Sequence, residues 1–456
     1  MVQQVITYSI TKKSKLERAS RLDAEYYQPE YLERTKKIEL FQTEKLGDVA
    51  YITDGEHGSP IFDEKSGIKY FSAQHVRDGF IDNSDAKNIS RIIDEKNKRS
   101  RLQKGDVLLS TVGTIGFAGL VTEDLLPANI DRHVARIALK EKTPDPHFLV
   151  AFLNSSFGRF QTIREATGNV QLNLFIDKIK ELLVPKIDNE EVSQMVRSSL
   201  QELKNSKIIY TQAEDLLLRG LGLKDFKPTE ELSYIVNLSN VRSTRRVDAE
   251  YFQPKYRKIE EKLVKDFNAK RIKDLDSIKV TTGQYSEEYT TKDQGRPYIR
   301  GTDLTKGTVN LDNLVYIGPD RQIPSKKAKE GDVVVTRVGT IGISARLPKD
   351  VEGGTISDNL IRLRFSEETL NSYYVSLFFN TIGSQLMIRE SRGSVQARLN
   401  QETLKEIVLP ILPKSTQQKV ADLVRRSHHA GKKAKELLEK AKREVEELIE
   451  KGQSYP

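Results

Sequence analysis

The chain has 456 residues, a net charge of +9, a pI near 9.2 and no cysteine. This length exceeds what one hydrophobic core usually serves and suits two domains of roughly 200 residues each. Without cysteine there can be no disulfide, thiolate zinc site or cysteine nucleophile, and no segment is apolar enough for a signal peptide or a membrane-spanning helix. We therefore expect a cytoplasmic protein, whose mild basicity suits a polyanionic partner without requiring one.

The sequence contains two copies of one domain-sized unit. The block Arg21–Tyr31 returns as Arg246–Tyr256, and the block Gly105–Gly116 returns as Gly331–Gly342 at nearly the same separation. A shorter Gly-x-Val-Gln block follows in both copies. Blocks that recur in the same order at a nearly constant offset indicate a duplication, so we expect the protein to recognise its target twice.

Each copy begins with an extended stretch, followed by a segment with helical spacing at 30–40 and at 255–264. Asp23 and Asp248 precede these segments and are predicted to cap the helices. Short runs rich in Val, Ile, Tyr and Phe then alternate with Gly and Asp. This alternation predicts a sheet with many turns.

Each copy closes with a helix that has a narrow apolar seam, in which apolar and small residues recur in steps of four and three. The large seam residues are Val192, Val196, Leu203, Tyr210 and Leu217 in the first copy and Val420, Val424, Leu438, Val445 and Leu448 in the second. Either each helix packs on its own domain, or the two helices pair with each other. Because the rest of each helix is highly charged, we favour pairing as an antiparallel coiled coil.

The predicted fold class is α+β (mixed α/β), with two tandem-repeat globular domains joined by the two long helices. The predicted boundaries are 1–187 for the first globular domain, 188–222 for the central helix, 223–413 for the second globular domain and 414–456 for the C-terminal helix.

The residues of an enzyme active site are missing from the sequence. Val112–Gly116 resembles a glycine-rich nucleotide loop, but it lacks the Gly-x-Gly-x-x-Gly spacing and occurs twice, which favours a tight turn after a buried strand. None of the six histidines falls in a His-Glu-x-x-His arrangement, so no metal site is expected. We therefore predict recognition rather than catalysis.

Taken together, these features resemble the specificity subunit of a Type I restriction–modification system. The resemblance rests on the duplicated Arg-x-Asp-Ala-Glu-Tyr block, the Gly-Asp-Val element that ends in Val-Gly-Thr-Ile-Gly, the Gly-x-Val-Gln block and the closing heptad helices. It implies that each half is a target-recognition domain for one part of a split double-stranded DNA sequence. Because the two halves differ most in the loops between the shared blocks, we expect this target to be asymmetric. The two closing helices would be paired spacers between these domains.

The same resemblance implies two methyltransferase subunits as partners, and restriction (motor-nuclease) subunits in the full complex. S-adenosylmethionine and ATP would bind to those partner subunits. This chain would then hold no cofactor and would not be an enzyme.

Polar residues beside glycine turns are the candidates for reading bases, because Arg suits guanine and Gln suits adenine. They are His57, Gln74, Arg77 and Thr111 in the first half and Tyr285, Arg300 and Arg337 in the second. Basic clusters between the shared blocks supply the candidates for phosphate contact. These are Arg91, Lys98, Arg99 and Arg101 in the first half and Arg321, Lys326 and Lys327 in the second. Any one of these side chains could instead stabilise the fold, and we consider this alternative for Arg300 and Arg337, either of which could hold a turn together.

Two other functions are open from the sequence alone. The chain could be a non-catalytic coiled-coil scaffold with non-specific DNA affinity, which would bind DNA in a salt-dependent but sequence-blind way. It could also be a self-contained enzyme with an unfamiliar site, which turnover or cofactor binding by the purified chain would reveal.

Overall fold

The computed structural model describes residues 9–14, 16, 21–140, 144–168, 171–187, 189–226, 233–366, 370–393 and 397–452. The chain forms two compact units. The first unit comprises Met1–Leu203 and Gly431–Pro456, and the second unit is the continuous segment Lys204–Ala430. The Gly-x-Val-Gln blocks of both halves lie partly outside the described residues.

The elements of the first half are short until the long helix that closes it. In chain order they are α1 (Pro29–Glu39), β1 (Thr43–Lys45), α2 (Leu46–Val49), β2 (Ala50–Asp54), β3 (Ile68–Phe71), β4 (Lys87–Ile89), α3 (Arg91–Lys96), β5 (Val107–Ser110), β6 (Ala118–Leu120), β7 (Ala128–Ile130), β8 (Val134–Leu139), α4 (Pro146–Asn154), α5 (Ser156–Glu165), α6 (Ile176–Lys180), β9 (Leu183–Pro185) and α7 (Glu190–Gly220).

The second half follows the same plan. Its elements are α8 (Leu238–Thr244), α9 (Pro254–Phe267), β10 (Lys270–Arg271), β11 (Ile278–Thr282), β12 (Arg296–Ile299), β13 (Leu304–Thr305), β14 (Thr308–Val309), β15 (Val315–Ile317), β16 (Val333–Thr336), β17 (Ser344–Arg346), β18 (Thr355–Ile356), β19 (Leu360–Phe365), α10 (Ser372–Asn380), α11 (Ile382–Glu390), α12 (Gln401–Lys405), β20 (Val408–Leu409) and α13 (Lys414–Lys451). Short 3-10 turns connect them, at Ala24–Tyr27, Glu64–Ser66, Ala73–His75, Lys98–Ser100, Glu123–Leu125, Ile272–Asp274, Gly301–Asp303, Pro319–Arg321, Pro324–Lys326 and Lys349–Val351.

The main sheet of the first unit is antiparallel, with its four strands in the order β2-β8-β5-β6. A second sheet has the order β4-β3-β7, in which β3 and β7 run parallel, and β1 pairs with β9. Strand β5 is buried at every position: Val107 and Leu109 face one core, and Leu108 faces another. Burial on both faces explains why this strand is an uninterrupted apolar run.

The second unit has the same topology. Its sheets have the orders β11-β19-β16-β17 and β15-β12-β18, with β12 and β18 parallel, and β10 pairs with β20. The side chains of strand β16 again face two cores, with Val333 and Val335 in one and Val334 in the other. The hairpin of β13 and β14 has no counterpart strand pair in the described part of the first unit. The α+β class predicted from the sequence is confirmed.

The predicted helix caps are wrong. Helices α1 and α9 each begin at a proline, which suits the first helical position because the N–H that proline lacks would be unpaired there. Asp23 instead accepts two hydrogen bonds from the Arg21 guanidinium, at 2.8 and 2.6 Å. Asp248 accepts the same pair from Arg246, at 2.9 and 2.6 Å. These aspartates therefore hold an arginine rather than a helix end.

In the first unit, the long helices α7 and α13 contact each other with opposite directions. Lys440 Nζ lies 4.0 Å from Glu191 Oε1, and Ser199 Oγ donates to the Ala434 carbonyl at 2.6 Å. Contacts therefore move towards the start of α13 as they move along α7. The small serine and alanine at this contact let the two backbones approach closely.

The second unit contains the other halves of both helices, also in contact. Ser206 Oγ donates to the Ser427 carbonyl and Ser427 Oγ donates to the Ser206 carbonyl, each at 2.8 Å. Of the predicted seam residues, Leu203 and Tyr210 are partly buried and all the others are buried. Seam residues also belong to the cores of the globular parts. The two helices therefore pack on the globular parts as well as on each other.

Candidate nucleic-acid interface

Three loops of the first unit meet at the carboxyl ends of two parallel strands. Segments 72–77 and 131–133 follow the parallel strands β3 and β7 directly. Segment 55–58 after β2 joins them through a bridge between Glu56 and Asp131. We call these three segments the first loop edge. Loops at such strand ends are common sites for binding, because a rigid sheet holds them.

The first loop edge begins at a glycine, which is required because two backbone segments pass very close to each other there. A Cβ at Gly55 would lie 1.8 Å from the carbonyl oxygen of Ile130, so no side chain fits there. Gly283 has the same place in the second unit, where a Cβ would lie 2.1 Å from the Ser357 carbonyl oxygen. The glycine shared by the two halves at this point therefore serves the framework.

The second unit forms the equivalent edge after β11, β12 and β18. We call its segments 283–286, 300–303 and 357–359 the second loop edge. Together with the turn after β16, they line a cleft of about 660 Å³. Its walls include Tyr285, Tyr289 and Tyr298. Aromatic rings beside polar loop ends can stack on a base while polar groups contact its edge.

Three of the four base-reading candidates of the first half are exposed on the first loop edge. His57 Nε2 lies 2.8 Å from Asp54 Oδ2. The side chains of Gln74 and Arg77 are exposed and form no hydrogen bond with another described residue. Thr111 is only 5% exposed, and this burial argues against its direct contact with a base.

In the second half, Tyr285 is the most exposed candidate. Its side chain is 63% exposed and its hydroxyl donates to the Glu287 carboxylate, which raises the pKa of Tyr285 to about 12. Arg300 holds the buried Asp303 through two hydrogen bonds, of 3.1 and 2.9 Å. Arg337 donates to two backbone carbonyls, at 3.2 and 3.3 Å. The two arginines therefore brace the loops in the unbound protein.

The phosphate candidates of the first half lie beside the first loop edge. Arg91 opens α3, is exposed and has no side-chain partner among the described residues. Lys98 and Arg101 are paired with carboxylates of α3. Arg99 Nη2 lies 2.9 Å from Asp54 Oδ1, so this carboxylate joins a predicted phosphate contact to the histidine of the loop edge.

The phosphate candidates of the second half have equivalent places. Arg321 Nη1 lies 2.5 Å from Glu288 Oε2, next to the second loop edge. Lys326 Nζ donates to the Thr282 carbonyl at 2.7 Å, and its burial lowers the pKa of Lys326. Lys327 is exposed, and its ammonium group has no partner in the described part of the chain. Of these three cations, Lys327 is the one available to a new anion.

Sequence reasoning missed the loops after β7 and β18. In the segment 131–133, Arg132 is exposed. Burial raises the pKa of the Asp131 carboxyl, although the His133 backbone N–H donates a hydrogen bond to it. In 357–359, Asn359 is exposed at the cleft. A signal was present, because a polar triplet follows an isoleucine at the same place in both halves.

The glycine-rich element after β5 is a turn, as predicted, and not a nucleotide loop. Ser110 Oγ accepts from the Phe117 N–H at 3.0 Å, and its carbonyl accepts from the Gly116 N–H at 2.8 Å. Gly113 and Gly116 have φ of 73° and 81°, values that favour glycine. Thr336 closes the equivalent turn in the second unit through its hydroxyl.

Within the described ranges, no group of three or more His, Cys, Asp or Glu side chains could hold a metal ion. No helix in the same ranges combines the length and apolar character needed to cross a bilayer.

Residues 264–439 match the family model of the Type I restriction modification DNA specificity domain. The match covers less than half of the chain. A stretch of 157 residues is 32% identical to the Type I restriction enzyme EcoBI specificity subunit of Escherichia coli, over 34% of this chain and 33% of that protein. The aligned stretch thus spans about a third of the relative's length. The predicted resemblance to the specificity family is confirmed.

Solved structures of the same kind are similar at low sequence identity. The S subunit of a Type I restriction–modification system from M. genitalium is 12% identical, with a TM-score of 0.41 over 91% of this chain and 96% of that one. The HsdS subunit from Thermoanaerobacter tengcongensis is 14% identical, with a TM-score of 0.30 over 90% and 96%. Matches as distant as these assign no role to any residue of this chain.

Proposed function

We propose that this chain is the DNA-specificity subunit of a Type I restriction–modification complex and reads a bipartite double-stranded DNA target. One observation carries the proposal beyond the family match: each unit places base and phosphate candidates side by side. Asp54 contacts both His57 and Arg99 in the first unit. In the second, the Gln284 side chain donates to the Arg321 carbonyl at 2.6 Å, beside the exposed tyrosine of the loop edge.

The target in this proposal is asymmetric. The frames of the two loop edges match, but their exposed side chains differ: His57 stands where the second unit has Tyr285, and Arg77 where it has Thr305. Different polar groups on one frame suit different base sequences, because each base pair presents its own pattern of donors and acceptors in the major groove.

The chain would be the non-catalytic part of a larger cytoplasmic complex. Helices α7 and α13 would form an antiparallel coiled coil that acts as a spacer and helps to position two methyltransferase subunits. S-adenosylmethionine would bind to those subunits, and ATP to the restriction (motor-nuclease) subunits. The contacts between Ser199 and Ala434 and between Ser206 and Ser427 support the paired helices.

The test is a modified-base map of DNA from cells that express this chain with its methyltransferase subunit. The proposal expects methyladenine confined to one split motif with a fixed gap. Gln74→Ala should relax the first half of that motif and leave the second half unchanged, because this exposed side chain has no framework partner. Arg91→Ala is the matched control and should lower total methylation without changing the motif, because a phosphate contact carries no sequence information.

A stable complex that adds no methylation would reject the proposal in favour of a scaffold with non-specific DNA affinity. A motif unchanged by Gln74→Ala, Arg77→Ala and Tyr285→Ala would keep the family role but would reject the loop edges as the reading surface.

A further inference from the structure

One turn of each globular part packs on a long helix. In the first unit the turn 78–79 lies on α13, where a Cβ at position 79 would be 2.4 Å from Leu438 Cδ2. In the second unit the turn 306–307 touches both long helices, because a Cβ at position 307 would be 3.0 Å from His428 Nε2 of α13 and 3.3 Å from the Tyr210 ring of α7. The separation of the two turns along the chain equals that of Tyr210 and Leu438. Each copy therefore places the same turn against the closing helix of the other copy, and the turn of the second copy also contacts its own closing helix.

The charges at these two contacts are inverted. In the first unit Lys442 Nζ, on a side chain only 13% exposed, lies 2.7 Å from Asp78 Oδ2. In the second unit Lys306 takes the place of the aspartate and Glu214 takes the place of the lysine, with the same separation between the copies. Burial raises the pKa of Glu214, and the positive charge of Lys306 opposes that rise. In the first unit the turn carries Asp78 and the helix carries Lys442, which also pairs with Glu439 of the same helix at 2.6 Å. The signs of the two equivalent positions are reversed in the second unit.

The small residues at the helix contact do not distinguish the pairing of α7 with α13 from the pairing of like helices from two chains. In the same alignment of the copies, Ser199 of α7 is equivalent to Ser427 of α13, and Ser206 is equivalent to Ala434. Because the serines use backbone carbonyls as acceptors, the same contacts could form between α7 of one chain and α7 of a second chain. Some other feature must favour the pair of unlike helices.

The inverted charges provide that feature. If α7 paired with α7 of a second chain, Glu214 of that chain would face Asp78. If α13 paired with α13, Lys442 would face Lys306. Like charges in a partly buried contact are unfavourable, and such repulsion is a common means of excluding a wrong partner. Only the pairing of α7 with α13 places opposite charges together at both contacts.

We propose that these four residues form a charge code that selects the α7–α13 pair and disfavours assembly of two copies of the chain through like helices. The code concerns assembly, so it does not depend on the DNA role. It predicts that the polarity of each contact matters and not only the presence of opposite charges.

The test uses full-length chains in which one unit has reversed polarity. Glu214→Lys with Lys306→Glu keeps opposite charges in both units but gives them the same polarity. Asp78→Lys with Lys442→Glu also keeps opposite charges in both units, and it gives the first unit the polarity of the second. Two chains with different affinity tags are mixed in denaturant, refolded together, and captured through one tag. We expect each double variant to raise the co-captured fraction about tenfold over the unmodified chain, because like helices then meet with opposite charges.

The control is the variant with all four substitutions. It has the same substituted positions as the two double variants together, but its units again differ in polarity. We expect its co-capture to return to the level of the unmodified chain. Circular dichroism melting of every variant shows that it is folded before capture is compared.

Two results would overturn the charge code. Folded double variants that exchange no more than the unmodified chain would show that polarity does not select the partner. A fourfold variant that exchanges as much as the double variants would show that the substitutions act only by weakening the contact.

Discussion

A buried asparagine fastens a helix to the edge strand of the main sheet in both units. Asn154, at the end of α4, accepts from the Ala118 N–H at 3.0 Å and donates to the Ala118 carbonyl at 2.8 Å. Asn380, at the end of α10, makes the same two hydrogen bonds with Ser344, both 2.8 Å long. The Ala118 carbonyl also accepts from the Gly79 N–H at 2.9 Å, and the Ser344 carbonyl from the Gly307 N–H at 2.8 Å, so removal of the amide leaves only the backbone N–H without this partner.

We therefore expect Asn154→Ala to lower the free energy of unfolding by about 1–3 kcal/mol, because it leaves the buried Ala118 N–H unpaired. Asn88→Ala is the control, since that amide makes an exposed hydrogen bond to the Glu64 carbonyl, and it should cost less than about 0.5 kcal/mol. Urea unfolding followed by circular dichroism measures both. Equal losses would contradict the assigned role of Asn154.

Removal of two neighbouring cations of the second unit should have different effects on the salt dependence of DNA binding. Lys327→Ala deletes an unpaired charge, so the slope of log affinity against log salt concentration should fall by about 1. Arg321→Ala should change the slope less, because that guanidinium already lies 2.5 Å from the Glu288 carboxylate. Fluorescence anisotropy with duplex DNA over a salt series gives both slopes, and identical slopes for the two variants would reject the distinction.

Side-chain partners are the part of the site that the sequence could not supply. The positions of Arg300 and Arg101 beside glycine turns and basic clusters were visible in the sequence. Their carboxylate partners also lie close in sequence, but nothing in the pattern shows that these acids turn towards the arginines. The Asp54 contact with Arg99 joins residues 45 positions apart, and only the folded sheet brings them together.

At the scale of the helices, the contact in the second unit contains a strongly shifted histidine. His428 Nε2 and the Tyr210 hydroxyl are buried without a hydrogen-bond partner among the described residues. The His428 ring lies 6.1 Å from the Tyr373 ring, whose own face is covered by the Arg346 guanidinium at 4.4 Å. Burial, and then the positive charge of Arg346, lower the pKa of His428 to about 4.

This shift predicts a loss of stability in mild acid. The ordinary histidine pKa is 6.5 and the folded value is about 4, so between these values the unfolded chain binds more protons. The stabilisation from a neutral His428 is complete above pH 6.5 and is lost as the pH falls towards 4, by about 3 kcal/mol in total. His428→Gln should make the melting temperature depend less on pH in this range. The same substitution at the exposed His429 should leave the pH dependence unchanged. Parallel curves for both variants would contradict the shift.

Elements with a clear period or turn chemistry could be predicted from the sequence, and wholly buried helices could not. The glycine turn after β5 and the two closing helices follow from spacing alone. Helix α4 was missed, because every residue from Phe148 to Asn154 is buried and the segment has no polar face to reveal its period. Its counterpart α10 is buried in the same way from Tyr374 to Asn380.

At the scale of the whole chain, the first unit is built from two segments that the entire second unit separates in sequence. Its core combines Val192 and Val196 of α7 with Val445, Leu448 and Ile449 of α13. The core of the second unit takes residues from the other halves of the same helices. The four-part division predicted from the sequence treated these helices as separate spacers, whereas both are also parts of the cores.

We therefore expect a chain that ends at Pro413 to lose cooperative unfolding in both units, because it lacks α13. It would remove Val445 and Leu448 from the first core and Val420 and Val424 from the second. Differential scanning calorimetry should show no transition of native size, while Lys432→Ala on the exposed face of α13 should melt like the unmodified chain. A truncated chain that keeps a native transition for either unit would reject this dependence.

The nested order of the two units has a consequence for translation. The ribosome must make all of Lys204–Ala430 after most of the first unit has emerged and before that unit's final segment, Gly431–Pro456. At about 5–20 residues per second, this delay lasts roughly 10–45 s. During that time the nascent first unit has an uncovered apolar face. The half synthesised first is thus the one exposed to chaperones and proteases while the rest of the chain is made.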